Sequence, residues 1–242
     1  MKTEKTESIA PAERSPMRME LKELFRPRDF PFLERALLLS PLGFRTHYPA
    51  REVNSLYFDS EDFRALELSL SGLSLRQKTR LRWYGEIEDA RSPTLEFKRK
   101  KGHLSWKILR RTDLRINPKA ADWSAAFLDD AGGDASPSLR RALPVNQHRP
   151  VTLVSYRRRY YESADERVRV TMDQDLSFRD QASTGGPNFR YERLHSDKLV
   201  LEVKLAEEDS ACLVQLARTL PFVPRRFSKY CESLLGHLPR WY

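Results

Sequence analysis

The sequence predicts an α+β fold: an antiparallel β tunnel barrel with a charged interior, flanked by helices. Three observations carry this expectation. Short strand-like runs recur along most of the chain, charged and apolar residues alternate within them, and the few helical stretches have an apolar side that can cover strands.

In chain order, residues 17–25 read as a first strand and 29–39 as a helix, with Phe32, Leu33, Ala36 and Leu37 at helical spacing and a stop at Pro41-Leu42-Gly43. Residues 53–58 are strand-like, and a short helix starts in Ser60-Glu-Asp-Phe63, with Ser60 as candidate N-cap. Strands follow at 77–85, 94–100 and 104–112, the last two joined by a hairpin turn at Lys101-Gly102-His103. Residues 118–144, rich in Ala, Asp, Gly and Ser, read as a helical insertion over the sheet. Strands at 151–162, 167–173, 176–180 and 198–205 precede helices at 209–220 and 228–235. No internal repeat or interdomain linker is visible. The expected organisation is a disordered tail, 1–16, and a single domain, 17–242.

Residues two apart on a strand share a face. Lys78, Arg80, Arg82 and Tyr84 therefore align opposite Leu81 and Trp83, and Glu96, Lys98 and Lys100 align. So do Tyr156, Arg158 and Tyr160, and Arg169, Thr171 and Asp173 opposite Val168, Val170 and Met172. Glu20 and Lys22, and Glu202 and Lys204, face away from aliphatic neighbours. A half-buried sheet with a solvated charged face is the commoner source of such alternation. Here the cations outnumber the acids, although like charges directly opposite each other destabilise a sheet. A barrel with apolar side chains outward and charges inward resolves this if a polyanion enters it.

Composition agrees. With 40% hydrophobic residues the chain can build a core, which excludes wholesale disorder. No apolar run approaches the roughly 20 residues of a membrane helix, and the first residues lack a signal-peptide core. Two cysteines, Cys212 and Cys231, are too few for a disulfide scaffold and favour a reducing, cytoplasmic setting. The formal charge of +9 points to a polyanionic partner. The five histidines (His47, His103, His148, His195 and His237) have no metal-ligand spacing.

The motifs Arg18-Met-Glu-Leu-Lys22, Tyr57-Phe-Asp59, Arg80-Leu-Arg-Trp-Tyr84, Glu96-Phe-Lys98, Tyr156-Arg-Arg158, Glu202-Val-Lys204 and Arg226-Phe-Ser-Lys-Tyr230 occur in an order that resembles the catalytic domain of the vacuolar transporter chaperone (VTC) family. These are polyphosphate polymerases within the triphosphate tunnel metalloenzyme superfamily. The resemblance runs from about residue 17 to 236. It implies a tunnel that binds ATP and inorganic polyphosphate, with phosphate-binding cations at Lys22, Arg80, Arg82, Lys98, Lys107, Arg158, Arg169, Lys204, Arg226 and Lys229. Of these, Arg80, Arg82, Arg158, Lys204 and Lys229 are the expected catalytic residues. Tyr156 falls near the substrate, and Mn²⁺ or Mg²⁺ on Glu202, with Glu20 and then Asp173 as helpers. Tyr57-Phe-Asp59 is read as a packing and turn element. Eukaryotic members carry an inositol-phosphate-sensing domain before this region and membrane helices after it. The chain is expected to have neither, so inositol-phosphate regulation and coupling to transport are not carried over, and any membrane partner is unidentified.

The chemistry expected is transfer of the ATP γ-phosphoryl group to a growing chain, which needs positioning and charge neutralisation rather than a general base. Two alternatives remain open. One is a triphosphate hydrolase or nucleotide cyclase of the same superfamily, whose first strand usually opens Glu-x-Glu-x-Lys where this chain has Arg18. The other is a non-catalytic polyphosphate- or RNA-binding module. Sequence-specific nucleic-acid recognition is not expected, because no RNA-stacking motif is present.

Overall fold

Eight antiparallel strands close on themselves. The computed structural model describes residues 12–129, 139, 141–144, 147–195 and 197–236. It contains β1 (Glu13–Arg14), β2 (Arg18–Phe25), α1 (Phe30–Leu38), β3 (Arg45–Asp59), α2 (Arg64–Leu70), β4 (Arg76–Tyr84), β5 (Thr94–Lys101), β6 (Leu104–Arg111), β7 (Leu114–Ile116), α3 (Trp123–Ala126) and β8 (Phe127–Asp129). These are followed by β9 (Arg149–Glu162), β10 (Val168–Asp180), β11 (Arg193–His195), β12 (Leu199–Leu205), α4 (Cys212–Ala217) and α5 (Lys229–Leu235). Around the barrel the order is β2, β12, β10, β9, β3, β4, β5, β6, and β6 returns to β2.

The closing seam is narrow. Arg18 and Met19 pair with Ser105 and Leu104, and β1 prolongs the same edge by setting Glu13 and Arg14 against Leu109 and Ile108. Between them the Ser15 N–H donates to the Lys107 carbonyl at 2.8 Å, and the Ser15 hydroxyl accepts from the Lys107 N–H at 2.8 Å. Residues 13–15, which the sequence places in the tail, thus belong to the barrel wall. The rest of that tail, 1–11, lies outside the described residues.

Other boundaries shift for identifiable reasons. β3 begins at Arg45 rather than 53, because register shifts at Tyr48 and Arg51, around Pro49, blur the alternation without ending the pairing to β9. The stretches 167–173 and 176–180 are one strand, β10, bulged between Gln174 and Ser177, with Asp175 at φ 53°. The turn between β5 and β6 is two residues, Gly102-His103, and Gly102 takes φ 59° there. Insertion 118–144 is helical only in part. α3 is four residues long, β8 pairs with β7 as a two-stranded ribbon, and residues 130–138 and 140 lie outside the described residues. The helix expected at 209–220 shrinks to α4, flanked by turns.

The apolar side chains form three clusters, two of them on the outer face of the barrel and one reaching inside it. Over β10 and β12, Val168, Val170, Met172, Leu199, Leu201 and Val203 pack beneath Leu33 and Leu37 of α1 and Cys212 and Leu216 of α4. Each fully buried aliphatic side chain contributes about 1.5–3 kcal/mol. Over β3, β4 and β5, Leu56, Phe58, Leu81, Trp83, Leu95 and Phe97 lie under the β7–β8 ribbon and Leu139 and Leu143. The third cluster includes Tyr57, Val154, Tyr156, Leu176, Phe178 and Val200, against which Phe63, just before α2, Leu66 of α2 and Tyr230, Cys231 and Leu234 of α5 are packed.

Asp59 holds this third cluster together. The side chain is fully buried and accepts from the N–H groups of Ser60 at 2.8 Å, Ala65 at 2.8 Å and Leu66 at 3.1 Å, so it caps α2 from outside the helix. Ser60, the expected cap, accepts from the Arg64 N–H at 3.0 Å. The Tyr230 hydroxyl donates to the same Asp59 carboxylate, tying α5 to α2. Ser228 caps α5 by accepting from the Cys231 N–H at 3.3 Å. Replacing Asp59 by Ala leaves those donors buried without an acceptor. We expect a loss of about 2–4 kcal/mol in denaturant unfolding, whereas Ser60→Ala costs about 1 kcal/mol.

Candidate active site

The inward rows converge on one cavity of about 560 Å³. It is lined by Glu20 and Lys22 of β2, Arg76, Lys78, Arg80 and Arg82 of β4, Lys98 and Lys100 of β5, Lys107 of β6, Tyr156 and Arg158 of β9, and Glu202 and Lys204 of β12. One side is closed by residues 224–229, a strap running into α5 that contributes Arg225, Arg226, Phe227, Ser228 and Lys229. The strap is fixed to β2. The Arg225 N–H donates to the Lys22 carbonyl at 2.6 Å, and Glu23 accepts from the Val223 N–H at 3.0 Å. Gly72, at φ 71° after α2, leaves room for the Arg226 guanidinium, which would lie 3.1 Å from a Cβ placed there.

Two buried carboxylates orient the guanidinium groups. Glu96 accepts from Arg80 Nε at 2.9 Å and Nη2 at 2.5 Å, and lies 3.3 Å from Arg82 Nη1. The remaining Arg80 nitrogen, Nη1, donates to the Tyr57 hydroxyl oxygen at 2.9 Å, and Arg82 Nη2 to that of Tyr156 at 3.3 Å. Asp173 accepts from Arg158 at 2.6 and 2.7 Å and from Lys229 Nζ at 2.5 Å. The amines are held more loosely. Lys204 Nζ lies 3.6 Å from Glu202, Lys107 Nζ lies 3.6 Å from Glu96, and Lys22 Nζ donates to the Phe227 carbonyl at 3.4 Å. Lys98 pairs with Glu20, and Lys78 donates to the Ser228 hydroxyl at 2.7 Å.

Thirteen lysines and arginines line the cavity against three glutamates, and several of the lysines titrate early. Lys107 is brought down to about 7: Glu96 supports its charge, but burial together with Arg82, Arg80 and Lys204 outweighs that support. Burial lowers Lys204 and Lys78 to about 8. The Tyr57 hydroxyl falls to about 8, because Arg80, Arg82 and Lys78 overcome its burial. Burial alone would raise the carboxylates. Instead Lys98, Lys204 and Lys22 hold Glu20 at about 2, and Lys204, Lys22, Lys98 and Arg158 keep Glu202 well below the usual range.

Glu20 and Glu202 therefore stay ionised side by side on adjoining strands, Glu20 opposite Lys204 and Glu202 opposite Lys22. Directly across β10, the buried Thr171 hydroxyl has no hydrogen-bond partner. Among the described residues no three acids, histidines or cysteines gather around one point. The set suits Mg²⁺ or Mn²⁺, which bind through one or two carboxylates and complete their shell with phosphate oxygens and water. His47 and His103 are engaged by Glu162 and Glu207.

Two expectations are corrected. Arg169 does not line the cavity; it is exposed at the rim, held by Glu162 at 2.6 Å. It stands directly opposite Lys204 on one neighbouring strand and Glu162 on the other, and its guanidinium turns to Glu162. Asp173, expected as a helper to the metal, does not line the cavity and is instead engaged by Arg158 and Lys229. The structure brings the other expected residues into the cavity and adds several. Lys78 and Lys100 share the faces of Arg80 and Lys98, and that alternation is the signal that finds them. Tyr57 lines the cavity as well as packing. Arg76 extends the row of Lys78 and Arg80 by one step, just before the expected start of that strand at 77, and nothing in the local sequence marks Arg225.

A closed eight-stranded barrel with a cation-lined interior defines a tunnel-fold protein. The VTC domain profile matches residues 17–236, and the chain belongs to that family. Among solved structures, the fold is similar to a candidate adenylate cyclase from Bacillus halodurans, at 16% identity and TM-score 0.50, covering 87% of this chain and 92% of that one. It is also similar to the candidate adenylyl cyclase HpAC1 from Hippeastrum, described as having a dominant triphosphatase activity, at 14% identity and TM-score 0.51, covering 92% and 97%. The comparison with curated proteins finds no match. Among the described residues no helix is long and apolar enough to cross a membrane.

The cation excess has a measurable cost. Lys78, Lys107 and Lys204 bind fewer protons folded than unfolded between about pH 7 and 10, so stability rises with pH across that window. The ligand-free protein is expected to melt at higher temperature at pH 9 than at pH 7. Asp173→Ala leaves buried Lys229 without its carboxylate and Arg158 with only Glu202 at 3.6 Å, and should cost about 3–5 kcal/mol. Added tripolyphosphate should recover part of its melting temperature.

Proposed function

We propose that the protein is a metal-dependent polyphosphate polymerase, transferring the γ-phosphoryl group of ATP to the end of an inorganic polyphosphate chain. The observation that carries this reading is the cavity's charge. Its guanidinium groups are fixed in position by Glu96 and Asp173, while the ammonium groups of Lys22, Lys107 and Lys204 are only loosely engaged. Such a surface remains unsatisfied until several phosphates neutralise it. Membership of the VTC family supports polyphosphate as the polymer.

In this reading Arg80, Arg82 and Arg158 present forks to phosphate oxygens, and the lysines act as mobile point charges along the chain. Tyr156 is set between two of these groups, its hydroxyl against Arg82 and its ring 4.6 Å from Lys229 Nζ, and keeps both aimed inward. The acceptor is an anionic phosphate oxygen, so the residues must align donor and acceptor and screen their repulsion rather than remove a proton. Mn²⁺ or Mg²⁺ held by Glu202, with Glu20 beside it, would supply further neutralisation of the phosphate oxygens.

Incubation of the purified protein with ATP and Mn²⁺ should yield acid-insoluble phosphate chains resolved by gel sizing. Arg158→Ala and Lys204→Ala should each lower turnover by about 10²–10³-fold. Glu202→Gln should abolish metal-dependent turnover while tripolyphosphate still binds. Failure of the wild type to turn over any nucleotide with either metal defeats the proposal and leaves a binding module.

One observation favours a hydrolytic reading. Lys107, lowered to about 7, is partly a neutral amine at neutral pH and could take a proton from an attacking water. Orthophosphate as the sole product, with a rate rising through pH 7, would support hydrolysis instead.

A further inference from the structure

We infer that the bore has a second, chemically different mouth that seats the nucleobase of a nucleoside triphosphate on the rings of Tyr48, Tyr84 and Tyr160. The inference rests on the triphosphate reading above and adds an orientation to it.

The inward rows do not end with the cations. On β4 the row Arg80, Arg82 continues to Tyr84, and on β9 the row Tyr156, Arg158 continues to Tyr160. On β3, Arg51 stands directly opposite Arg158, and Tyr48 opposite Tyr160. These four side chains form one group. The Arg51 guanidinium lies 4.7 Å from the Tyr48 ring centre, 5.6 Å from that of Tyr84 and 5.8 Å from that of Tyr160. Tyr48 meets Tyr160 edge-on at 5.7 Å. Yet Tyr84 is 51% and Tyr48 44% exposed, so ring surface is left open beside the end of a polyanion channel.

The opposite mouth has another character. There Arg76, Lys100, Arg225 and Arg226 present charge, and the nearby Phe227 ring is partly buried against the α5 cluster. Those cations favour phosphate over an uncharged base, whereas stacking on an aromatic face is favourable for every base and is reinforced by a neighbouring Arg. Arg158 joins the two regions: its guanidinium is 5.1 Å from the Tyr156 ring and 6.0 Å from the Tyr160 ring. A nucleotide whose first phosphate meets Arg158 thus carries its base onto the tyrosines. Its terminal phosphate then points toward the strap, and polymer leaves past the cationic mouth.

The test compares ATP with inorganic tripolyphosphate, which lacks a base, by titration calorimetry at fixed ionic strength. The proteins are the wild type, Tyr84→Ala, Tyr84→Phe and Tyr48→Ala. Both alanine variants should weaken ATP at least about fivefold and leave tripolyphosphate within about twofold, while Tyr84→Phe, which keeps the ring, should match the wild type. Equal weakening of both ligands, or no change in either, overturns the inference while the triphosphate reading stands. A wild type that binds neither ligand removes both. Tyr48 lies on the exposed edge of β3, so its variant tests the idea if a Tyr84 variant proves unstable.

Discussion

Repulsion among cations enclosed by a β-barrel is the constraint on which the rest of this structure depends. Lysines and arginines from six strands face a common space, where each would be unstable alone. Glu96 and Asp173 make the arrangement possible. Each is buried behind the cavity wall and binds two or more cations, which fixes direction as well as charge. The balance is incomplete. Glu20 and Glu202 offset part of what remains, and the residue is expressed in three amines that hold their protons weakly.

The outer surface solves a separate problem. A barrel whose charges point inward must hide its apolar side chains outside, and α1, α4 and the β7–β8 ribbon do so. The third cluster differs because it reaches inside, and it links the strap to the barrel through Asp59 and Tyr230. Tyr57 and Asp59, two residues apart, face opposite demands: one accepts from a cavity arginine, the other anchors two helices.

Much of this was legible in the alternation. Arg80, Arg82, Lys98, Arg158 and Lys204 sit on regular strands with a strict period of two, so the sequence states which way they point. Legibility fails where the period is broken or the partner is remote. Pro49 and two register shifts conceal half of β3, and a bulge divides β10 in two. Arg225 reaches the cavity only because the strap docks on β2, a contact between residues some 200 positions apart that no local pattern encodes. Arg169 has the right parity and stands opposite Lys204, yet it is exposed and turned to Glu162. Face is read from alternation, whereas depth along a barrel depends on strand tilt and stagger, which come from the whole sheet.

The weakly held amine protons have an outcome beyond the barrel itself. A phosphate chain entering the cavity supplies the negative charge that Lys78, Lys107 and Lys204 lack, and so restores their affinity for protons. Near neutrality the complex must therefore draw hydrogen ions from the surrounding buffer as it forms. The heat exchanged then depends on which buffer gives them up, so the occupied tunnel carries its record in the medium as well as in the protein.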